Sequence, residues 1–398
     1  MNPTTKSLHL AAIYTVYGKR AGAELFAEKT LEEIRRLEPD WRLTVFCNGQ
    51  AREILSERLP GADLRHIPWL DHQIKKAFWL EFLSHRWVTR RNFDVFWLPS
   101  ASASFPGRWN VPSVATFLDL GGFLVHHRWS FQRSIYTKYI STPRTLRRAA
   151  AFTAISQTTA DDLLRVFPRA RPARVIYLGP SPRSEAVPPG NPQEVIEQET
   201  GLKLSAILFS PARTDYLGKG RDILLRAYAQ YRRSVPEPLP LVMPGPPGAF
   251  HPRFLADIAA LQLSDCAFWP GRVSDACIEA FYQISRAMLM PSRTEGFGFP
   301  ILEAMERGVP VICSDAGSLP EVAADAALVV PAGSVEKLAE AMVNLETQPA
   351  LRQELIRRGH NRCRAFSWEQ TARQYCELFT AVAAQDPPRE NRAPDPTP

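Results

Sequence analysis

The sequence predicts an α/β protein made of two doubly wound parallel-sheet domains, and three observations predict it. Short apolar runs rich in β-branched residues recur along the 398 residues, each followed by a longer stretch of helical periodicity. Strands that are apolar on both faces and alternate with helices pack as parallel sheets covered on both sides. A stretch dense in Pro, Gly and charge, GPSPRSEAVPPGNPQEVIEQETG from Gly179 to Gly201, divides the chain into halves of comparable size. Single cores stop growing at about 250–300 residues, so two cores suit this length.

In the first half the runs are LHLAAIYTV, WRLTVFCNG, FDVFWLPS, SVATFLDL, AAFTAIS and ARVIYLG. In the second they are SAILFSPA, LPLVMPG, CAFWPGRV, RAMLMPS, VPVICSD and AALVVPAG. Near the end, SWEQTARQYCELFTAVAA carries an apolar stripe of Trp368, Tyr375, Leu378, Phe379 and Val382 at helical spacing. The final QDPPRENRAPDPTP is apolar-poor and Pro-rich, a composition that cannot support a core. The expected organisation is a first domain at 1–183, a linker at 184–200 and a second domain at 201–366. A helix at 367–385 returns to the first domain, and a disordered tail follows at 386–398.

Composition excludes several classes. Hydrophobic content of 45% with 22% charged residues is that of an ordinary globular protein. The formal net charge of +7 favours an anionic ligand or membrane surface without singling out nucleic acid, and no nucleic-acid module is present. Cys47, Cys266, Cys277, Cys313, Cys363 and Cys376 form no CxxC pair and no metal-ligand cluster, which reads as reduced thiols in a cytoplasmic protein. The N-terminal apolar run is too short for a signal-peptide core with a cleavage site. No stretch approaches the ~20 apolar residues of a membrane span, so any membrane contact is expected to be peripheral, at the inner face of the cytoplasmic membrane.

Ligands of doubly wound sheets bind beyond the carboxyl ends of the strands, so function is sought in the loops there. MPSRTEGFGFPILEAMERGVPVICSDAGSLPE, Met290 to Glu321, begins at such a strand end. Pro300 suits the first turn of a helix expected from Pro300 to Arg307, and Gly308 suits its end. Gly296 and Gly298 open the backbone beside that helix start, where N–H groups and the macrodipole favour an anion such as phosphate. Glu295 and Glu303 would repel a phosphate but can accept hydroxyl hydrogens, and a sugar nucleotide carries both a diphosphate and vicinal hydroxyls. The alternative is an acidic helix N-terminus stabilised by its dipole, with Glu303 a surface residue.

EGFGFPILEAMERGVPVICSDAGSLPEV resembles the signature of the retaining GT-B glycosyltransferases of family 4, mannosyltransferases among them: Glu, seven residues, Glu, then Ser-Asp-x-Gly-x-x-x-Glu. The resemblance implies a GT-B fold, two Rossmann-like domains facing a central cleft. It covers most of residues 200–380 well and the first half more loosely. It implies that Glu295 lies beside the donor sugar and Glu303 holds the ribose hydroxyls, with the Gly296-Phe297-Gly298-Phe299 loop lining the donor.

In SPARTDYLGKGRDILLRAY, Arg213 and Lys219 match the family's Arg/Lys pair that grips the donor diphosphate; two cations there would stabilise charge on the leaving group. FWPGRVSDACIEAF resembles the Gly-x-Val-Ser-Asp turn, which implies that Arg272 and Val273 lie near the nucleotide base, although an ordinary turn capped by Ser274 or Asp275 explains it equally. GKRAGAELFAEKTLEEI resembles the family's Gly-Gly-Ala-Glu loop with Ala21 in place of the first Gly; Gly22 would let that loop approach donor phosphate or acceptor, or simply start a helix to Leu37. SVATFLDLGGF resembles a His-Asp pair with Leu118 in place of the His, leaving Asp119 as an acceptor-side or orienting carboxylate. Ser156 matches a family Ser and also suits a helix cap.

HQIKKAFWLEFLSHRWVTRR and HHRWSFQRSIYTKYISTPRTLRR are basic and aromatic, fit either for an anionic membrane surface or for an aromatic core face with a solvated basic face. No Asp-x-Asp occurs, so the metal-diphosphate site of the other major glycosyltransferase fold is missing and no cofactor or divalent cation is expected. The function implied is transfer of a hexose, mannose from GDP-mannose before a UDP-hexose, to a saccharide or lipid-linked saccharide acceptor in surface-polysaccharide assembly. No carboxylate is marked as a nucleophile, which favours front-face substitution over double displacement. The competing class is a GT-B nucleotide-sugar binder without transfer activity, to which Leu118 and Ala21 lend support. A sugar-nucleotide 2-epimerase of the same fold is the rival within enzymes.

Overall fold

A computed structural model describes residues 7–18, 22–101, 104–124, 135–181, 190–213, 215–248 and 250–385. The chain divides into two compact units, Met1–Gly179 with Phe366–Pro398, and Pro180–Ala365.

The first unit holds a seven-stranded sheet ordered β3-β2-β1-β4-β5-β6-β7. Its strands are β1 His9–Tyr14, β2 Arg42–Cys47, β3 Asp63–His66, β4 Val95–Leu98, β5 Ser113–Phe117, β6 Ala151–Ala154 and β7 Arg174–Val175. All neighbours pair in parallel, with β1 in register against β2 from His9 opposite Arg42 to Tyr14 opposite Cys47. The central strands are apolar and buried, as a sheet with helices on both faces requires. Edge strand β3, with the sequence DLRH, has no counterpart among the apolar runs, because its side chains are exposed or half-buried.

The second unit holds a six-stranded parallel sheet ordered β10-β9-β8-β11-β12-β13. These are β8 Ile207–Phe209, β9 Leu241–Val242, β10 Ala267–Phe268, β11 Ser285–Met290, β12 Val311–Ser314 and β13 Ala327–Val330. The chain winds outward from β8 through β9 to β10, then returns to start β11 on the other side of β8. The strand order therefore reverses between β8 and β11, and crevices beyond the carboxyl ends of such a pair are where these sheets take ligands.

Two boundaries differ from the sequence reading. Residues 192–200 are not linker but a helix, Pro192–Thr200, capped by Asn191 and ended by Gly201 in the left-handed region. Ile196 anchors it in the second unit, and Glu199 accepts from Ser274 N and Oγ, both at 2.6 Å. The polar composition hid a single buried side chain, and residues 184–189 of the presumed linker lie outside the described residues. The second unit ends at Ala365, and Phe366 already belongs to the first. The tail 386–398 is likewise outside the described residues.

The helix Trp368–Ala383 is built into the first unit through a hydroxyl cluster. The buried Tyr375 hydroxyl lies 3.0 Å from both Thr116 Oγ1 and Thr153 Oγ1, while Trp97 Nε1 donates to Thr116 Oγ1 at 3.0 Å. Thr371 donates to Tyr177 O at 2.7 Å, and Arg36 pairs with Glu369 at 2.8 Å.

The first basic aromatic stretch splits its apolar side chains. Trp79 is fully buried, whereas Ile74, Phe78 and Phe82 are 86%, 47% and 55% exposed. Between them the buried Glu81 receives Arg144 Nε at 3.0 Å, Arg148 Nη1 at 2.8 Å and Arg108 Nε at 3.3 Å, which ties this stretch to the second one. Among the described residues no helix is long and apolar enough to cross a membrane, and none of the six cysteines is in a disulfide.

Candidate active site

The reversal between β8 and β11 is bridged by Ser210, whose Oγ donates to Leu289 O at 2.7 Å. Beyond β11, Glu295 sits where three loops meet. Its Oε1 accepts from Lys219 Nζ at 2.5 Å and from Ser292 Oγ at 2.7 Å. Lys219 comes from the loop after β8 and immediately precedes Gly220, which opens the helix Arg221–Ser234. The Glu295 carbonyl accepts from both Ser318 N and Ser318 Oγ at 3.2 Å, on the loop after β12. Gly317, at φ +58°, makes this approach feasible: a Cβ there would stand 2.5 Å from Glu295 O. Arg293 locks the first two loops together, forking onto Asp222 at 2.7 and 2.6 Å and donating to Leu217 O at 2.8 Å. The Glu295 side chain is only 10% exposed and Lys219 25%, so the pair is largely withdrawn from solvent yet open on one side.

The adjoining helix is Phe299–Glu306, one residue earlier at each end than the sequence suggested, because Gly298 at φ +98° serves as its N-cap. Phe297 is buried with its ring edge-on to Phe299, centroids 5.3 Å apart, which fixes the Gly296–Phe299 turn. Glu303 falls in the second turn, where its Oε2 accepts from Tyr282 Oη at 3.0 Å. Burial, reinforced by the Glu303 charge, pushes the Tyr282 hydroxyl well above its ordinary range, so it stays a donor. Arg307, paired with Glu279, lies over the Tyr282 ring at 4.9 Å and holds it. Glu303 is therefore a half-buried carboxylate with a fixed orientation, not a loose surface acid.

Beside this lies a cavity of about 220 Å³ lined by Arg213, Pro244, Gly245, Arg272, Val273 and Ile278. Its wall is a ladder between the loops after β8, β9 and β10: Ala212 N donates to Pro244 O at 3.2 Å and Gly245 N to Gly271 O at 2.7 Å. Arg213 thus joins Arg272 and Val273, and among the described residues it makes no hydrogen bond with Lys219 or Glu295. Ser274 caps the next helix, its Oγ accepting from Cys277 N at 3.1 Å.

The remaining candidates belong to the first unit. Asp119 follows β5 and its Oδ1 accepts from Gly121 N at 3.0 Å, at the start of the short helix Gly121–Leu124. Gly22 is exposed and opens the helix Gly22–Leu37. Ser156 caps the helix Gln157–Val166 through Thr159 N at 3.1 Å. Reading the sequence assigned no role to Ser292, Tyr282 or Arg221; Ser292, three residues before Glu295, and Arg221, two after Lys219, stood close enough in the chain to be noticed. Among the described residues no three His, Cys, Asp or Glu side chains converge on a metal-sized site.

A family model described as glycosyl transferases group 1 matches residues 193–362, and one described as glycosyltransferase family 4 matches residues 21–182. Between them they take in most of both units. The chain belongs to the group 1, family 4 glycosyltransferases. The glycosyltransferase is 39% identical to O-antigen chain mannosyltransferase B of Escherichia coli over 109 residues, 27% of this chain and 29% of that protein. It is 28% identical to D-inositol 3-phosphate glycosyltransferase of Saccharomonospora viridis over 315 residues, 76% of this chain and 70% of that protein. The match to the Escherichia coli protein thus spans less than a third of that relative's length. The crystal structure of Anabaena HepE in complex with UDP and glucose superposes with a TM-score of 0.70 at 18% identity, covering 94% of this chain and all of that one. The fold is GT-B, with both sheets parallel and Rossmann-like.

Proposed function

We propose that this glycosyltransferase retains anomeric configuration and transfers a hexose, mannose from GDP-mannose by preference, to a saccharide or lipid-linked saccharide acceptor in surface-polysaccharide assembly. The observation that carries the reading is the Lys219–Glu295 contact at the β8/β11 reversal, with the N-termini of the helices Arg221–Ser234 and Phe299–Glu306 beside it. Lys219 and the two helix ends suit a diphosphate, and Glu295 suits sugar hydroxyls. Glu303, held by Tyr282, keeps acceptor capacity for ribose hydroxyls. The cavity of Arg213, Arg272 and Val273 receives the base, its cations adding to the charge that balances the phosphates.

In this reading the bond from the anomeric carbon to the diphosphate oxygen breaks, and the bond to the acceptor oxygen forms on the same face. The departing diphosphate oxygen takes the acceptor proton, so no protein nucleophile and no metal is required. Lys219 and the helix ends stabilise the charge that grows on the leaving group. Asp119 orients the acceptor. Mannose is favoured by the likeness to an O-antigen mannosyltransferase, and the UDP-hexose alternative by the likeness to HepE, solved with UDP and glucose. The proposed location is the cytoplasm at the inner membrane face, with the exposed Ile74, Phe78 and Phe82 of the first unit meeting lipid.

The test is release of nucleoside diphosphate from GDP-mannose and from UDP-glucose without acceptor. Slow GDP release by the unaltered protein, reduced about a hundredfold or more in folded Lys219→Ala, is expected. Release from neither donor, or equal release by the variant, removes the assignment.

A further inference from the structure

Arg221, the first residue of the helix Arg221–Ser234, is 1% exposed. Its Nη1 donates to Ser210 Oγ at 2.8 Å, and its Nη2 to the carbonyls of Ser210 and Ala212 at 2.9 and 2.8 Å. Every one of these acceptors is neutral, and Nε has no partner. Burial alone moves its titration, down to about 10, so it stays charged at neutral pH with no carboxylate opposing it. Arg307 and Arg293 of the same unit, by contrast, fork onto Glu279 and Asp222. A buried cation without a counter-ion is costly, and more so at a helix N-terminus, where the macrodipole is already positive.

The position of this unbalanced charge gives it a use. Arg221 is two residues from Lys219, and its fork grips Ser210 and Ala212, the loop that leads to Arg213. Ser210 in turn holds Leu289 across the β8/β11 reversal. We infer that Arg221 is a positioning residue and the fixed positive charge of the donor site, whose missing counter-ion is the donor diphosphate itself. It does not touch the diphosphate. Its field favours an anion at the Lys219 loop, and its fork keeps that loop from rearranging when the anion arrives. The inference rests on the donor-site reading above.

The experiment is calorimetric titration of the full chain with inorganic pyrophosphate, GDP, UDP and the nucleosides guanosine and uridine. Arg221→Met is expected to weaken pyrophosphate and the preferred nucleoside diphosphate about tenfold or more, the scale of one nearby charge in a partly screened site, while leaving the nucleoside unchanged. Arg221→Lys, which keeps the charge and loses the fork, retains most of the pyrophosphate affinity. Ser210→Asp sets a carboxylate against Nη1 and supplies the absent counter-ion, at the loss of the Ser210 donation to Leu289 O, so pyrophosphate binding by the folded variant falls by a similar factor. That variant stands in for Arg221→Met should the latter not fold. A role confined to bracing the loop predicts the reverse, with pyrophosphate bound by folded Ser210→Asp as tightly as by the unaltered protein, and that result overturns the inference. If the unaltered protein binds none of the diphosphates, the donor-site reading itself falls.

Discussion

At the residue scale, Lys219 and Glu295 satisfy each other at 2.5 Å, and Ser292 shares the same carboxylate oxygen. Removing either partner therefore does more than delete a ligand contact. Glu295→Ala leaves Lys219 without its partner and Ser292 without its acceptor, so turnover is expected to fall about a hundredfold or more while diphosphate binding persists. A donor titration beside a rate measurement separates the two effects. Tyr282→Phe takes away the hydroxyl that orients Glu303, and the expected result is a several-fold rise in donor KM with kcat nearly unchanged, because ribose binding is the same in ground and transition states. An unaltered KM removes Glu303 from the ribose. The two glutamates were legible because their spacing around a Gly-Pro turn is costly for packing alone. The hydroxyl that holds Glu303 was not: Tyr282 lies on the preceding helix, 21 residues away in sequence, and no local pattern joins it to Glu303. Arg213 was paired with Lys219 by resemblance; it lines a cavity with Arg272 and Val273, where the loop pairs Ala212 with Pro244.

At the scale of elements, Glu81 joins the two basic aromatic stretches. Burial pushes its carboxyl up, but Arg148 and Arg144 outweigh this and hold it at about 2. With an unfolded value near 4.3, its contribution is present above that pH and is lost as pH falls toward about 2. Glu81→Gln should therefore lower the melting temperature of the first unit at neutral pH, with the gap to the unaltered protein closing below about pH 4; an equal gap at pH 7 and pH 3 contradicts this. The Trp368–Ala383 helix offers a second check. Tyr375→Phe leaves Thr116 and Thr153 without the shared hydroxyl, at a cost of about 1–3 kcal/mol, read as a lower melting temperature. The exposed Ile74, Phe78 and Phe82 stand among Lys75, Arg86 and Arg91, and cosedimentation with phosphatidylglycerol vesicles should be lost on Ile74→Glu with Phe78→Glu. Elements with apolar strands were legible throughout. Strand β3 and the Pro192–Thr200 helix were not, since one edge strand and one helix with a single buried isoleucine carry almost no hydrophobic pattern.

At the scale of the whole molecule, the two parallel sheets follow from apolar runs alternating with helices, and the chain's length requires two cores rather than one. The return of residues 366–385 to the first unit, expected for a helix at 367–385, depends on contacts with Thr116, Thr153 and Tyr177, which are remote in sequence; the apolar stripe marked the helix but not these partners. The reversal of strand order between β8 and β11 could not be read from the chain, yet it decides where the site lies, because it parts the loops that carry Lys219 and Glu295 and leaves them facing one space. The central claim is that a nucleotide-sugar donor binds at this end of the second sheet. Hydrogen–deuterium exchange of the full chain, with and without saturating GDP or UDP, tests it most directly. The account predicts slowed exchange at residues 215–222 and 292–299 with the preferred nucleotide; nucleotide binding that leaves both segments unprotected while slowing exchange elsewhere would contradict it.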